Sequence, residues 1–478
     1  MDTSDFQSIN PASFYGKRYK RLGTALDDIA STSQHNVNIV LIPPEVDTLT
    51  DEEDINEDEC DVRDFPNDVP GEVEVHYDSD DDNIPLSEMI VQANQGPSNL
   101  PKKMRTGTEA EPTWSEHKIN LEMKETHGYV DRINHVKEQI NNKTPVEIFE
   151  KLFDNDIFEH IAKQSILYAA QKNNHQFTVT QDDLRIFIAI LVLSGYHKLP
   201  RERLFWSLDE DVSIPCVSTA MSRNRFQEIK KYLHFADNSK LDKSDKLYKM
   251  RPMVTMLNKN FQQWGIFHPH LSIDEAMVKY YGHHSAKQFI RGKPVRFGYK
   301  EWMLCSSTGY CYNFDVYCGA KPSCIETEIK AKPTLPLGSR VVLELLECVT
   351  EPSDHTVFFD NYFTSYDILK TLREKGFRAT GTARDNRIKN CPLPSKSEVN
   401  KKERGHFFHM YDKTNNLLFV KWKDNSIVTM ATNYDTIEPL SKVKRWSSAQ
   451  KKKLMYHSPT YFLDITRQWE VSIFLIKA

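Results

Sequence analysis

Two aspartates stand where carboxylate chemistry could be done. Asp274 follows Leu271-Ser272-Ile273, and Asp360 follows Val357-Phe358-Phe359. Each closes a short apolar run that reads as a buried strand, so its carboxylate would emerge at a sheet edge while the strand stays fixed. Phosphoryl transfer assisted by two divalent ions needs such groups. Mg²⁺ takes oxygen ligands, and ions about 3.5–4 Å apart activate the attacking oxygen and stabilise the leaving one. A strand-end aspartate is also an ordinary turn residue, so neither residue decides the matter alone.

A second constellation lies between the two acids. Lys287, Arg291, Lys293, Arg296 and Lys300 alternate with Phe289, Phe297 and Tyr299. Basic side chains so placed suit contacts to a nucleic-acid backbone, which are salt-dependent and indifferent to sequence. Gly292 and Gly298 allow a sharp turn or a close approach of backbone. The competing reading is a solvated hairpin with surface lysines.

The elements that must hold these residues fall into two textures. From about 143 to 265 the pattern is helical. Val146, Phe149, Leu152 and Phe153 share one helical face, and Thr180 with Asp183 forms a capping-box pattern ahead of LRIFIAILVLSGY. That run is apolar nearly all round, which predicts a core helix. Phe226, Ile229 and Leu233 mark a further helix. From about 266 to 445 strands dominate. HLSIDEAMVKYY is strand-like, and GYKEWMLCSSTGYCYNFDVYCG folds back at Thr308-Gly309. SRVVLELLECVT reads as a helix, HTVFFDNYF as a buried strand, and YDILKTLREKG as a helix closed by Gly376. FRATGTARD returns to strand, and LLFVKW and SIVTMAT pair around Lys423–Asn425. Three strands, a helix, then a strand ending in an acid is the order of an RNase-H-like core. The expected class is therefore mixed α/β (α+β), with a helical region ahead of that core.

Bulk properties fit a soluble chain with some unstructured sequence. The 478 residues are 39% hydrophobic and 27% charged. No apolar run approaches the roughly 20 residues of a membrane helix, and the N-terminus lacks the pattern of a secretory signal. Eight cysteines form no CxxC pair, which speaks against a zinc ribbon or a disulfide framework; Cys305, Cys311 and Cys318 read as buried thiols. Residues 1–115 show no period and are expected to be disordered. Between Asp47 and Asp82 they hold 17 acids and one base, Arg63, a net −16, so the overall charge of −5 leaves about +11 for the rest. A basic body suits a polyanionic partner. Lys17–Arg21 and Lys102–Arg105 have the composition of nuclear import signals.

The wording around the acids is more specific. SIDEAMVKYYGHHSAKQFIRGKPVRFGYKEW resembles the block around the first catalytic acid of piggyBac-type transposases, and FDNYFTSYDILKTLREKGFRATGT the block around the second. LSGYHKLPRERLFW, MSRNRFQEIKKYLHFAD and DKLYKMRP resemble the family's helical segments in the expected order, so the resemblance spans Thr144 to Arg445. It implies that Asp274 and Asp360 are catalytic metal ligands, two of a triad holding two Mg²⁺ ions. It also implies cut-and-paste DNA transposition at TTAA targets, with transposon ends and target DNA as partners, a nuclear location and no membrane. The oligomeric state is left open, a homodimer being one assembly the chemistry admits.

The family's third acid sits in a motif of the form YN-x-x-MGGVD-x-x-D, and this sequence contains no such string. Asp424, in the turn KDNS, is a poor substitute, and Asp464 has the wrong surroundings. Loss of one nucleotide within Asp464–Ile465 offers an explanation. In the shifted frame Trp469-Glu470 must encode Gly, Ser472-Ile473 can encode Asp, and the restored tail is compatible with YN-x-x-MGGVD-x-[FL]-D. Residues 446–478 are accordingly expected to be unstructured or frameshifted, and the chain as written to be catalytically defective. The alternative is a domesticated, transposase-derived protein that binds DNA without cutting it.

Overall fold

The structure, a computed structural model, describes residues 17–19, 37–42, 72–77, 111–282, 284, 286–290, 295–318, 335–447 and 451–459. Three short strands, β1 (Lys17–Tyr19), β2 (Val37–Ile42) and β3 (Glu72–Tyr77), lie within the stretch expected to be disordered. β2 (VNIVLI) is rich in β-branched residues and β3 (EVEVHY) alternates with period two, so both suit a strand where a sheet edge is offered, though neither pattern is sustained beyond six residues. β4 (Trp114–Ser115) adds a fourth.

The helical region opens at α1 (Tyr129–Ile140), earlier than the expected boundary near 143. α2 (Pro145–Leu152) is closed at its start by a capping box in which Thr144 and Glu147 satisfy each other's backbone amides. α3 (Asn155–Gln171) is capped by Asp154, α4 (Gln181–Tyr196) by the Thr180/Asp183 box, and α6 (Arg223–Tyr232), which follows α5 (Pro215–Ala220), by Ser222. α7 (Arg251–Trp264) ends the region. Its core gathers Phe158, Ile161, Leu184, Phe187, Phe226 and Ile229. Two expectations need correction. α4 buries one face only: Leu184, Phe187 and Ile190 are inside, while Val192 and Tyr196 are 58% and 75% exposed. α2 forms, yet Val146 is 66% exposed. Helical spacing identifies an apolar face but not whether anything covers it.

The sheet begins with β5 (His270–Lys279), β6 (Gln288–Ile290), β7 (Phe297–Ser306) and β8 (Cys311–Val316), β7 and β8 turning at Gly309. α8 (Leu337–Leu346) leads to β9 (Thr356–Phe359), and α9 (Tyr366–Glu374) crosses to β10 (Arg378–Thr382), with Gly376 at φ 87° in the left-handed turn between them. After α10 (Lys396–Asn400) come β11 (Phe407–Asp412), β12 (Leu417–Lys423) and β13 (Ile427–Thr432). The order β8-β7-β5-β9-β10 is that of an RNase-H-like core, with β5, β9 and β10 parallel, and β13-β12-β11-β4 extending one side. Val341, Val342 and Leu345 of α8 and Ile368, Leu369 and Leu372 of α9 share one apolar core with Leu271, Ile273, Val357 and Phe359. The mixed α/β architecture is thus the expected one. Among the described residues no helix is long and apolar enough to cross a membrane.

The tail differs from expectation. β14 (Leu440–Ser447) pairs with β15 (Lys452–Pro459) along its whole length, so residues 446–447 and 452–459 are strand rather than unstructured. Val443 and Tyr456 pack with Val420, Trp422 and Met430, which anchors the hairpin to the sheet. Asp464, Ser472 and Ile473 lie outside the described residues.

Candidate active site

Parallel pairing brings the two aspartates together. β5 and β9 align Leu271 with Val357, Ser272 with Phe358 and Ile273 with Phe359. The next residues are Asp274 and Asp360, at the same level and about one strand spacing, or ~5 Å, apart in backbone. Asp360 follows the end of β9. Contrary to the expectation from sequence, β5 does not end at its acid: it carries Asp274 in mid-strand, opposite Met303 of β7, just past its pairing with β9. The carboxyl end of parallel strands is where α/β sheets commonly build sites. Their strands are rigid: Leu271, Ile273, Val357 and Phe359 are each 0% exposed, while both acids are half-buried.

Backbone amides orient both side chains. Oδ1 of Asp274 accepts from the amide of Glu275 at 2.8 Å, and Oδ1 of Asp360 from that of Tyr362 at 2.8 Å. The Asp360 carbonyl accepts from Oγ1 of Thr364 at 2.8 Å, and Ser339 on α8 donates to the carbonyl of Phe363 at 3.0 Å. The loop carrying Asp360 is therefore pinned from both ends. Arg387, 6% exposed, donates to the carbonyl of Tyr362, and Nε of Arg384 reaches Oδ1 of Asn361 at 3.4 Å. These two arginines follow β10 and were not singled out from sequence; only the strand-end position of ARD hinted at them.

The donor set suits a hard divalent cation as far as it goes. Two carboxylates, oxygen donors on rigid strands, converge at one edge. Among the described residues no cluster of three or more His, Cys, Asp or Glu is arranged to hold a metal ion. Asp424 does not supply the third acid. It sits beyond β12, three strands from β9 by the order β9-β10-β13-β12 and four residues further along than the level of Asp360, roughly 20 Å away at ordinary strand spacing and rise. It is also engaged: Nε of Arg404 donates to one oxygen at 2.6 Å and Nε of Arg445 to the other at 2.9 Å. Burial pushes the Asp424 carboxyl up, but the two arginines outweigh it and hold it below the usual range.

The basic constellation is dispersed. Lys287 is only 4% exposed, and its ammonium donates to the carbonyls of Tyr281 at 3.3 Å and Gly282 at 2.8 Å, so it serves the fold rather than the surface. Arg291 and Lys293 lie outside the described residues. Arg296 is exposed. Lys300 places its ammonium 4.1 Å from the centre of the Trp302 ring and 4.9 Å from that of Tyr362, two residues beyond Asp360. The ammonium is thus held against two rings; by the ladder Lys300 shares the face of Trp302 and Ile273, opposite to that of Asp274. Phe289 and Phe297 pack on each other, both buried, so they are core rather than interleaved contact residues. At Gly298 a side chain would meet the Val278 carbonyl, so this glycine allows close strand approach. Cys305 is buried and Cys311 and Cys318 are half-buried; desolvation holds the Cys318 thiol up at about 11.

Comparison with known proteins agrees with this geometry. A family model described as "Transposase IS4" matches residues 144–464, two thirds of the chain. Human PiggyBac transposable element-derived protein 3 is 40% identical over 319 residues, covering 66% of this chain and 52% of that protein. Human PiggyBac transposable element-derived protein 2 is 37% identical over the same length, covering 66% and 53%. The chain thus spans about half the length of these curated relatives. A piggyBac transposase solved by cryo-EM as a synaptic complex with hairpin DNA has the same fold, with a TM-score of 0.53 at 21% identity over 71% of this chain and 68% of that one. The class defined by fold and site is that of an RNase-H-like transposase core. The chain belongs to the transposase family of the piggyBac type.

Proposed function

We propose that this chain is the transposase domain of a cut-and-paste element acting on DNA at TTAA targets, carrying two of the three acids the reaction needs. The observation that supports this reading most is the level placement of Asp274 and Asp360 on adjacent parallel strands, each just past the last paired residues Ile273 and Phe359. Mg²⁺ is the proposed cofactor, with Asp274 and Asp360 as its ligands; bound there it would activate water or a 3′-hydroxyl and stabilise the leaving oxygen. The chain's own part is to hold both carboxylates in place and, through Lys300, Arg296 and the undescribed Arg291 and Lys293, to meet DNA phosphates. A homodimer and a nuclear location follow from the DNA substrate as further proposals.

A site with two carboxylates is under-ligated and over-positive, so the chain as written should cut poorly. The family match ends at residue 464, the codon where the frame was expected to shift, which supports a third acid lost from the reading frame. The test compares Mg²⁺-dependent nicking of a transposon-end duplex by the chain as written and by a version with the frame restored. Restored nicking that Asp274→Asn then abolishes is the expected result. A restored chain that binds the duplex yet never nicks it would instead support a DNA-binding protein derived from a transposase.

A further inference from the structure

The β14–β15 hairpin carries a charged face that the two-acid site does not use. Residues 440–459 contain six Lys and Arg and no Asp or Glu. Strand alternation sorts them. Val443 and Arg445 point inward, Val443 being 3% exposed and Arg445 bound to Asp424. Lys442, Lys444 and Trp446 point outward on β14 and are exposed. Across the ladder Trp446 pairs with Lys453 and Lys444 with Met455, both partners exposed. One face therefore presents three ammonium groups around Trp446, which is 56% exposed, and Met455, 53% exposed. Apolar side chains of that size are seldom left in water inside a field of like charges without a partner that satisfies both.

Where this face lies is set by its anchors. The Trp446 carbonyl accepts from Arg404 at 2.8 Å, and Arg445 reaches Asp424 at the end of β12. β12 ends opposite the start of β13 (Lys423 with Ile427), and β13 in turn runs antiparallel to β10 (Met430 with Thr382). The Trp446 end of the hairpin thus stands at the carboxyl edge that carries Asp274 and Asp360. The separation is roughly three strand spacings across the sheet, ~14 Å, and four residues along it, since Asp360 is level with Val420. Together that is ~20 Å, or about six nucleotides of a strand at ~3.4 Å each.

We propose that the outward face of β14–β15 is a DNA-backbone clamp. Lys442, Lys444 and Lys453 contact phosphates of a strand leaving the acidic pair, and Trp446 packs on a sugar or a base. The proposal rests on the DNA reading above and adds a surface to it. Charge complementarity selects a polyanion, and the shared sheet edge selects the strand already engaged at the site.

The experiment uses the full chain and a random-sequence duplex, with binding followed by fluorescence polarisation over about 50 to 200 mM salt. The variant is Lys442→Ala/Lys444→Ala/Lys453→Ala, and the charge-keeping Lys442→Arg/Lys444→Arg/Lys453→Arg is its control. The expected result is a salt slope shallower by about 2.7, from 0.9 per phosphate contact, with weaker binding at low salt and recovery in the arginine control. An alanine variant with parental slope and affinity overturns the clamp while leaving the DNA reading intact. Absence of duplex binding by the parent overturns both. Equal binding of polyglutamate by the parent, lost in the alanine variant, reassigns the face to an acidic protein partner and also overturns the proposal.

Discussion

Ile273 and Phe359 are register partners on adjacent parallel strands, and each is followed directly by an aspartate. Between them lie 85 residues that include a long antiparallel excursion and a helix. The pairing of the two acids is thus a long-range property of the sheet, from which the first prediction follows.

Mn²⁺, read by its paramagnetic resonance, is expected to bind the chain weakly through Asp274 and Asp360 together. Asp274→Asn and Asp360→Asn should each remove that binding, and the double variant should lose nothing more. Retention of full Mn²⁺ binding by either single variant would refute a shared site.

Gly298 determines how closely the arm beyond Asp274 can pair. Its φ is 156°, and a Cβ there would fall 1.8 Å from the Val278 carbonyl. Gly298→Ala should cost about 3 kcal/mol or more in thermal or denaturant unfolding, since backbone rather than a flexible side chain must yield. Hydrogen exchange should show the loss first in the paired ends of β5 and β7. A melting temperature equal to the parent's would count against this close approach.

Glu301 supplies a pH dependence. Burial, together with the negative Asp315 nearby, raises its carboxyl from the usual 4.5 to about 7. The folded state therefore binds this proton more tightly than the unfolded chain. Its contribution is fully present below about 4.5 and is lost as the pH rises through about 7. Glu301→Gln should be more stable than the parent at pH 8, by up to about 3 kcal/mol at 1.36 kcal/mol per unit. The gap should close on acidification, and a gap that is constant from pH 4 to 8 would rule out this origin.

Asp424 anchors the hairpin through two arginines, and its carboxyl lies below the usual range, so its contribution is lost as the pH falls. Asp424→Asn removes the charge that both Arg404 and Arg445 face. A destabilisation of about 1–3 kcal/mol is expected, with hydrogen-exchange protection lost in residues 440–447 and 452–459 but kept in β9. Unchanged protection of the hairpin would show that Val443 and Tyr456 suffice to hold it.

What the sequence made legible was local. The strand ending before Asp360, the turn at Thr308-Gly309 and the helix closed by Gly376 all announce themselves through apolar runs and turn residues, whereas β5 runs on past Asp274 to Lys279 because β7 pairs with it there. The misses share a different cause. Lys287 looks like a surface cation because lysine usually is one, and only the chain folding over it supplies the two carbonyls that accept its protons. Leu191 and Val192 look like core because α4 is apolar on every side, yet no element among the described residues packs on that face. The hairpin was passed over because its lysine run reads as solvated tail, its inward residues Val443 and Tyr456 being meaningful only against Trp422. Arg384 and Arg387 act on a loop more than 20 residues away in sequence.

The alignment of β5 with β9 also limits how the acidic pair could ever be adjusted. Ladder hydrogen bonds permit only whole-residue slips, and a slip of one residue would turn a carboxylate to the opposite face of the sheet. The gap between the two acids is therefore stepped rather than continuous. Substitutions in the surrounding core can loosen or stiffen the pair, but they cannot stretch it by a fraction of an ångström at a time. Whatever fine adjustment a bound cation requires must come from side-chain torsions at Asp274 and Asp360 and from the short loop that follows Asp360.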